Sequence, residues 1–207
     1  MAVHEQSPDD DPVRVAAYDP GWGAQFEAER AALRKCIGPW VTGGIHHVGS
    51  TSVPGLPAKP VIDIMAGVES LDRSRPCIEK VTSLNYLYAP YLGDVMHWFC
   101  KPHPARRTHH LHLVPAGSRR YLDELAFRDA LRGDPALAQR YAALKLDLAA
   151  RFRDDRDGYT QHKTFFVGEV LATVRNRPGE ARFRPAGNRR PGHPFTRCFG
   201  HPRQQQA

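Results

Sequence analysis

The sequence predicts an α+β protein that ends in a helical part, and two features of its apolar pattern carry this prediction. Over residues 13–117, short apolar or alternating segments typical of strands are mixed with amphipathic helical segments. From residue 118 onward, apolar side chains recur three and four positions apart through three successive segments, which is the spacing of helices. Strands mixed with helices, followed by helices alone, favour a sheet domain with a C-terminal helical segment.

The first predicted helix begins at Asp19-Pro20 and ends at Gly38-Pro39. Asp19 is suited to cap a helix whose first residue is proline, because the missing N–H of proline has no role at that position. Phe26, Leu33 and Ile37 form the apolar stripe of this helix. The other elements predicted before residue 118 are strands at residues 13–18, 61–66, 86–91, 95–101 and 109–114, a strand leading from Ile45 into Gly49, and a helix at residues 77–83.

Three helices are predicted after residue 118. The first ends near Gly133, because glycine is a frequent helix terminator. The second begins at Asp134-Pro135, which repeats the pattern of a capping carboxylate followed by proline. The third follows Asp154, Asp155 or Asp157, any of which is able to accept the first backbone N–H groups of a helix.

Composition and cysteine usage exclude several classes of protein. No run approaches the roughly 20 apolar residues that a membrane-spanning helix needs, and the acidic N-terminal region lacks the features of a signal peptide. A cytoplasmic location is therefore the default expectation. The four cysteines are widely spaced with no CxxC pair, so reduced thiols are expected rather than a disulfide framework or a zinc knuckle.

The net charge of +7 is confined to one end of the chain. Residues 175–207 hold eight arginines against one glutamate, so the preceding part of the chain is formally neutral. The predicted organisation is a disordered arm over residues 1–12, a domain over residues 13–174 with a sheet core at 13–117 and a helical part at 118–174, and a basic Pro/Gly/Arg-rich tail. Nucleic acid is expected to bind only through this tail, because a folded nucleic-acid domain carries the charge on its own surface.

Residues 45–66 show the strongest functional pattern, a strand, a Gly/Ser-rich turn and a second strand. Asp63 interrupts the apolar run at residues 61–66, and its burial costs several kcal/mol unless a metal, a cation or hydrogen-bond donors meet it. The turn begins at Gly49, which frees its backbone, and the hydroxyl side chains that follow make it a candidate phosphate cradle. These hydroxyls belong to Ser50, Thr51 and Ser52.

Cationic and imidazole side chains near this stretch complete a candidate site. Lys59, between the turn and Asp63, is a candidate partner of a phosphate or of Asp63, or else a solvated turn residue. His110 and His112 share one face of a predicted strand, where they are able to ligate a metal, carry protons or contact phosphate, or are half-buried polar residues with satisfied hydrogen bonds. Arg107 stands close enough to that strand in sequence to clamp a phosphate.

Several spaced blocks of the sequence resemble the GrpB family. The most specific is HVGSTSVPGL at residues 47–56, followed by KPVIDI at residues 59–64. Later blocks that match are RTHHLHLV at residues 107–114, LAFRDALR at residues 125–132, YAALK at residues 141–145 and YTQHK at residues 159–163. The resemblance covers roughly residues 13–174, and the basic tail has no counterpart in it.

The resemblance implies a nucleotidyltransferase-like fold of the polymerase-beta type, a small mixed sheet with helices on one side. In such a fold the Gly-Ser turn binds the phosphates of a nucleoside triphosphate or a related small molecule, and strand carboxylates hold Mg²⁺. The implied catalytic residues are Asp63, His110 and His112, with Asp63 and His112 as metal ligands. The family pattern also favours cleft-facing, phosphate-binding cations at Arg128, Lys145 and Lys163.

The chain departs from the pattern of that superfamily at one position that bears on activity. Active members carry two carboxylates one residue apart on the second strand, whereas Val61 and Met65 occupy the positions on either side of Asp63. The leading hypothesis is an enzyme that transfers a nucleotidyl group from a nucleoside triphosphate to a small acceptor with Mg²⁺. The alternative is a catalytically inactive module that binds nucleotide or coenzyme A, since some relatives are fused to dephospho-CoA kinase. RNA binding through the tail is a third hypothesis, and the sequence leaves the oligomeric state open.

Overall fold

The computed structural model describes residues 12–90 and 92–176. The predicted arm lies outside these residues except for Pro12, and the predicted basic tail lies outside them except for Arg175 and Asn176. The boundaries of arm, domain and tail therefore stay predictions. Within the described residues, no helix is both long enough and apolar enough to cross a membrane.

A five-stranded mixed sheet forms the centre of the described part of the chain. Its strands are β1 (Val41–Val48), β2 (Ile62–Val68), β3 (Leu87–Ala89), β4 (His97–Pro102) and β5 (Arg107–Pro115). They lie in the order β1-β2-β5-β4-β3, with β2 and β5 parallel and all other neighbours antiparallel. The apolar run that contains Asp63 is thus an inner strand of the sheet, where both faces are covered.

One face of the sheet is covered by α1 (Gly21–Ile37), by α2 (Pro76–Lys80) and by the 3-10 turn Val81–Leu84. The predicted apolar stripe of α1 is buried in this interface together with alternate residues of β2, such as Ile62 and Ile64. Asp19 accepts a hydrogen bond from the backbone N–H of Gly21 at 2.7 Å. Asp19 therefore accepts a backbone N–H at the start of the helix, which begins one residue later than predicted, at Gly21 with Pro20 as the preceding residue.

The C-terminal part of the described chain forms α3 (Arg119–Gly133), α4 (Pro135–Arg151) and α5 (Arg156–Arg175). α3 lies on the opposite face of the sheet, where Tyr121 packs in a cluster with Val48 and Met65, and α4 and α5 pack against α3 and against each other. Each of these helices is capped by the side chain of the residue before it, which accepts a backbone N–H at 3.3, 3.0 and 2.7 Å in turn. The capping residues are Ser118, Asp134 and Asp155.

This architecture confirms the predicted α+β class with a C-terminal helical segment, although two predicted elements take a different form. Residues 13–18 form an isolated bridge between Ala16 and Ala58 instead of a strand, because Val13 packs in a cluster with Leu148 of α4 and Tyr159 of α5. The helix predicted at residues 77–83 is α-helical only within α2 and continues as the 3-10 turn Val81–Leu84. It stops at Asn85, whose φ of 61° turns the chain so that Tyr86 enters the core.

The register of the central strands brings the candidate site residues together. Because side chains alternate along a strand, Asp63 and Met65 point to the face of the sheet that carries α3, away from α1. In the parallel pair of β2 and β5, Asp63 lies beside His110, and Met65 lies beside His112. Asp63 and His110, which are 47 positions apart in the chain, therefore become neighbours on one face of the sheet.

Candidate functional site

Asp63 and His110 form a hydrogen-bonded pair at the centre of the site. The Nδ1 atom of His110 lies 2.8 Å from Oδ1 of Asp63. Burial alone raises the pKa of Asp63, but the hydrogen bond from His110 and the charges of His112 and Lys163 hold that pKa below its ordinary value. Burial also lowers the pKa of His110, despite the adjacent carboxylate. The pair is therefore an ionised carboxylate and a neutral imidazole whose Nδ1–H donates to it.

Gly49 lies directly against the carboxylate of Asp63. Its backbone has φ 68° and ψ −173°, a conformation that is essentially restricted to glycine. A Cβ atom at this position would lie 2.3 Å from Oδ2 of Asp63. The Gly-Ser turn is therefore shaped to let a carboxylate approach the backbone, and a side chain at position 49 would force the two apart.

We expect Gly49→Ala to lower the free energy of unfolding by about 3 kcal/mol, because the new methyl group adds a clash with Asp63 to an unfavourable backbone conformation. Gly55→Ala is the matched control, since Gly55 also has a positive φ, 76°, but a Cβ there would meet no atom within 4 Å. The control is expected to lose about 1 kcal/mol. Equal losses for the two variants in urea denaturation would contradict the close approach of Gly49 to Asp63.

His112 faces a second carboxylate, which comes from α3. Its Nδ1 atom lies 3.7 Å from Oε1 of Glu124, and Arg120 holds Glu124 at 2.7 Å. Burial raises the pKa of Glu124, but His112 and Arg120 outweigh this effect and hold the pKa below its ordinary value. Sequence reasoning missed Glu124, because its i, i+4 spacing from Arg120 is typical of an ion pair on a solvated helix face.

Two neighbouring cavities open beside these carboxylates. Their volumes are about 320 Å³ and about 250 Å³, and both are lined by Asp63, His112, Thr160 and Lys163. The larger cavity also reaches Glu124 and Arg120 of α3. The two cavities together form the cleft, and a ligand in either of them would lie next to Asp63.

Four cations line the smaller cavity: Lys59, Arg107, Arg156 and Lys163. Burial, together with the neighbouring guanidinium groups of Arg156 and Arg107, lowers the pKa of Lys59 to about 8. Burial likewise lowers the pKa of Lys163 to about 8, although Asp63 opposes the shift. Positive charge that is crowded and partly removed from water is suited to bind a polyanion, which would restore a favourable environment to each ammonium group.

The hydroxyl groups of the turn divide into two sets. The hydroxyl of Thr51 donates to the carbonyl of Val61 at 3.1 Å, and that of Ser52 donates to the carbonyl of Gly49 at 2.6 Å. Thr51 and Ser52 therefore use their hydroxyl groups to hold the turn in shape. Ser50 and Thr51 line the smaller cavity and Gly49 the larger one. Ser50 and Gly49 are therefore the turn residues placed to contact a ligand, although the hydroxyl of Ser50 also interacts with Tyr141.

Two cations that the family pattern favours do not line either cavity. Lys145 is only 1% exposed, and its ammonium group donates to the carbonyl of Pro57. Arg128 donates to the carbonyl of His47 at 3.2 Å and holds both carboxylate oxygens of Asp129 at 2.7 and 3.1 Å. The structure therefore places both cations as supports of the segments that flank the Gly-Ser turn.

Asp63, His110 and His112 also form a group of potential metal ligands, called the ligand cluster below. Each offers one ligand atom, and these atoms all lie within 4.8 Å of one another. The ligand cluster adjoins the cation-lined cavity, because Asp63 and both histidines line that cavity as well. The site thus combines groups that attract an anion with groups that are able to ligate a cation.

Comparison with known proteins gives one family. The family model described as GrpB protein matches residues 12–173 of this chain. A UPF0157 protein from Pseudomonas aeruginosa is 38% identical over 169 residues, which cover 79% of this chain and 68% of that protein. A dephospho-CoA kinase from Mycolicibacterium paratuberculosis is 30% identical over 178 residues, which cover 73% of this chain but only 43% of the kinase.

Among solved structures, this chain is similar to the crystal structure of the conserved protein GrpB from Enterococcus faecalis. The TM-score is 0.71 and the sequence identity 33%, over 78% of this chain and 96% of that chain. Sequence and fold therefore point to the same family.

Proposed function

The chain belongs to the GrpB family and has its nucleotidyltransferase-like fold, and from this premise we propose that it transfers a nucleotidyl group from a nucleoside triphosphate to a small acceptor. One observation carries the proposal. Lys59 and Lys163, two partly desolvated ammonium groups, line the same cavity as the half-buried carboxylate of Asp63. That combination suits a substrate whose phosphates are held at one end while chemistry takes place at the other.

The cations supply the phosphate-holding end. Lys59 and Lys163 bind the β- and γ-phosphates, and Arg107 offsets the charge that develops on the leaving pyrophosphate. The guanidinium group of Arg107 is fixed for this role, because its Nε donates to the carbonyl of Pro104 at 2.6 Å and its plane lies over Trp98. Ser50 and the backbone of Gly49 contribute hydrogen bonds from the turn.

The ligand cluster supplies the end where the acceptor is activated. The acceptor oxygen attacks the α-phosphorus, the bond from that phosphorus to the bridging oxygen of the β-phosphate breaks, and pyrophosphate leaves. The acceptor hydroxyl must lose its proton in this step, and Asp63, His110 and His112 are the groups placed to receive it or to activate the oxygen. The remaining chemistry is positioning and charge stabilisation.

The Mg²⁺ ion that the nucleotidyltransferase resemblance implies does not match the donors of this site. Mg²⁺ prefers oxygen ligands in near-octahedral geometry, whereas the ligand cluster offers one carboxylate and two imidazoles. The second carboxylate, Glu124, faces His112 instead of standing one residue from Asp63 on β2. No step of the proposed reaction is therefore routed through Mg²⁺.

The second candidate function is a catalytically inactive module that binds a nucleotide or coenzyme A. The absence of a paired carboxylate on β2 favours it, since Val61 and Met65 take the positions on either side of Asp63. The match to a protein named dephospho-CoA kinase adds coenzyme A to the ligands worth testing. Such a module would keep the cation-lined cavity and bind the phosphates without releasing pyrophosphate.

The test of the proposed function is pyrophosphate release from each of the four labelled nucleoside triphosphates in the presence of a pool of small acceptors. We expect release with at least one triphosphate, and a loss of about 100-fold in Lys163→Met. Lys80→Met, an exposed lysine on α2 at the other face of the sheet, is the matched control and should keep its activity. Binding of a triphosphate in calorimetry without any release would instead favour the inactive module.

We expect the affinity for a triphosphate to fall by about tenfold or more between about pH 7 and pH 9, because both cavity lysines lose their protons in that range. The pKa values of Lys59 and Lys163 in the free protein are about 8, so protonated ammonium groups prevail below that pH and neutral amines above it. Calorimetric titrations across this range should show proton uptake on binding. A pH-independent affinity, or the same pH dependence after both lysines are replaced by methionine, would contradict the assignment.

A further inference from the structure

We infer that Asp63, His110 and His112 form a binding site for a d-block divalent cation of the Zn²⁺ class, in place of the Mg²⁺ of related folds. The use of this ion to activate an acceptor rests on the proposed function. Its binding does not, because binding depends only on the donors that the fold brings together.

The ring nitrogens of the ligand cluster are buried without a hydrogen-bond partner. Among the described residues, neither Nε2 of His110 nor either ring nitrogen of His112 has one. Elsewhere in this sheet, Nε2 of His46 lies 2.8 Å from the hydroxyl of Tyr121, and Nε2 of His47 lies 3.0 Å from that of Thr51. Within the described part of the chain, His97 has one unpartnered buried nitrogen, Nδ1, whereas both ring nitrogens of His112 lack a partner. A buried polar nitrogen without a partner costs free energy, and coordination of a cation would satisfy one such nitrogen on each histidine.

The protonation state of His110 leaves a lone pair for a metal. Its Nδ1 must carry the proton, because the ionised carboxylate of Asp63 only accepts hydrogen bonds. Nε2 is then unprotonated, which is the form of imidazole that binds a metal. In the metal-free chain the contact between Asp63 and His110 fixes the orientation of the ring, and the carboxylate gives up this hydrogen bond when it becomes a ligand itself.

Glu124 supports His112 from outside the ligand cluster. Its Oε1 lies 3.7 Å from Nδ1 of His112, and its other oxygen, Oε2, is buried without a partner among the described residues. Arg120 holds the carboxylate in place at 2.7 Å. The two carboxylates of the site thus lie one beside each imidazole, Asp63 beside His110 and Glu124 beside His112.

The donor set discriminates between classes of cation. Two imidazole nitrogens and one carboxylate oxygen suit zinc, cobalt, manganese or iron, which accept nitrogen ligands, whereas Mg²⁺ takes oxygen ligands and keeps most of its waters. The ligand atoms lie within 4.8 Å of one another, so small side-chain rotations bring all three to bonding distance of one cation. Three protein ligands leave coordination positions for a water or for an acceptor oxygen from the cleft.

The experiment is a titration of the chelator-treated full chain with Zn²⁺ and with Mg²⁺ in the absence of nucleotide, followed by the visible absorption of bound Co²⁺. We expect one Zn²⁺ site at least about 100-fold tighter than any Mg²⁺ site. His112→Gln should weaken this site by about 100-fold and Glu124→Gln by about tenfold, with a changed Co²⁺ spectrum in each case. His97→Gln, which removes a buried imidazole of β4 outside the ligand cluster, is the matched control and should bind as the unaltered chain does.

Three outcomes would overturn the inference: no saturable Zn²⁺ binding, Zn²⁺ binding unchanged in His112→Gln, or Mg²⁺ binding of equal strength. The Co²⁺ spectrum keeps the test decisive if one variant folds poorly, because it reports the ligands in the unaltered chain. The metal site and the proposed function fail separately. Zn²⁺ binding by a chain that releases no pyrophosphate leaves the site standing, whereas release that persists after removal of Zn²⁺ and depends on Mg²⁺ alone overturns only the use of the ion to activate the acceptor.

Discussion

Asp63→Asn is expected to reduce pyrophosphate release by on the order of 10³-fold while it leaves the affinity for the triphosphate within a few-fold of the original. Asparagine has the shape of aspartate, so the contact with Gly49 and the packing of β2 are kept. What is lost is the negative charge that holds the proton on Nδ1 of His110 and leaves Nε2 unprotonated. The charge of Asp63 raises the pKa of Lys59 and of Lys163, so its loss favours their neutral form. At about pH 6, well below their ordinary pKa, both lysines are protonated, so the effect measured there should fall on turnover rather than on binding.

The measurement is the rate of release at saturating triphosphate, beside calorimetric binding of the same triphosphate. Asp129→Asn is the matched control, because Asp129 pairs with Arg128 outside the lining of both cavities. It is expected to keep full activity. An Asp63→Asn variant that turns over at the original rate would remove Asp63 from the reaction and leave the phosphate-binding module as the better account.

The parts of the fold that depend on residues close together in the chain were predictable from the sequence. The cap at Asp134-Pro135 and the apolar stripe of α1 are local patterns, and the structure has both. The strand at residues 13–18 failed for a non-local reason: Val13 is taken up by a cluster with Leu148 and Tyr159, which lie far along the chain. The strand propensity of residues 13–18 carries no information about packing with residues so far along the chain.

The candidate site shows the same limit. The sequence singles out Asp63 because a carboxylate in an apolar strand needs a partner, but the identity of the partner follows from the register of β2 against β5. Glu124 was not predictable, since its position on α3 reads as a solvated one until the helix is packed across the sheet. The additional carboxylate of the site thus comes from a helix and faces His112.

Two of the predicted cations show why a sequence pattern does not reveal which way a side chain points. Lys145 and Lys163 both belong to blocks that resemble the family, and both lie on helices near the site. The packing of α4 turns Lys145 to the carbonyl of Pro57, whereas α5 turns Lys163 into the cavity with Asp63. A cation that supports a turn and a cation that meets a ligand have the same sequence signature, so a measurement has to separate them.

The free protein is expected to become more stable as the pH rises from about 7 to about 8.5, because one buried lysine and two half-buried ones lose their protons on folding. The pKa of Lys145 is lowered to about 7 by burial and by Lys163, and those of Lys59 and Lys163 are lowered to about 8. In the unfolded chain these groups titrate near their ordinary value of 10.5. Between the two values the unfolded state binds more protons than the folded state, so raising the pH favours folding.

Each lysine contributes a slope of up to about 1.4 kcal/mol per pH unit in the free energy of unfolding. Urea denaturation across this pH range measures the sum, and the upper limit stays below the region in which the raised pKa of Cys77, about 11, acts in the opposite direction. A flat or falling stability would contradict the burial of these ammonium groups. Lys145→Met should flatten the slope by roughly the share of one lysine.

Saturating triphosphate should then distinguish the two lysines that line the cavity from Lys145, which does not line it. Phosphates in the cavity restore the charged form of Lys59 and Lys163 and raise their pKa toward the unfolded value, so their part of the slope disappears. Lys145 does not line the cavity and donates to the carbonyl of Pro57, so its part should persist when ligand is bound. A residual slope that vanishes in Lys145→Met would identify Lys145 as a structural cation and the other two as ligand-binding ones, which the sequence pattern alone does not distinguish.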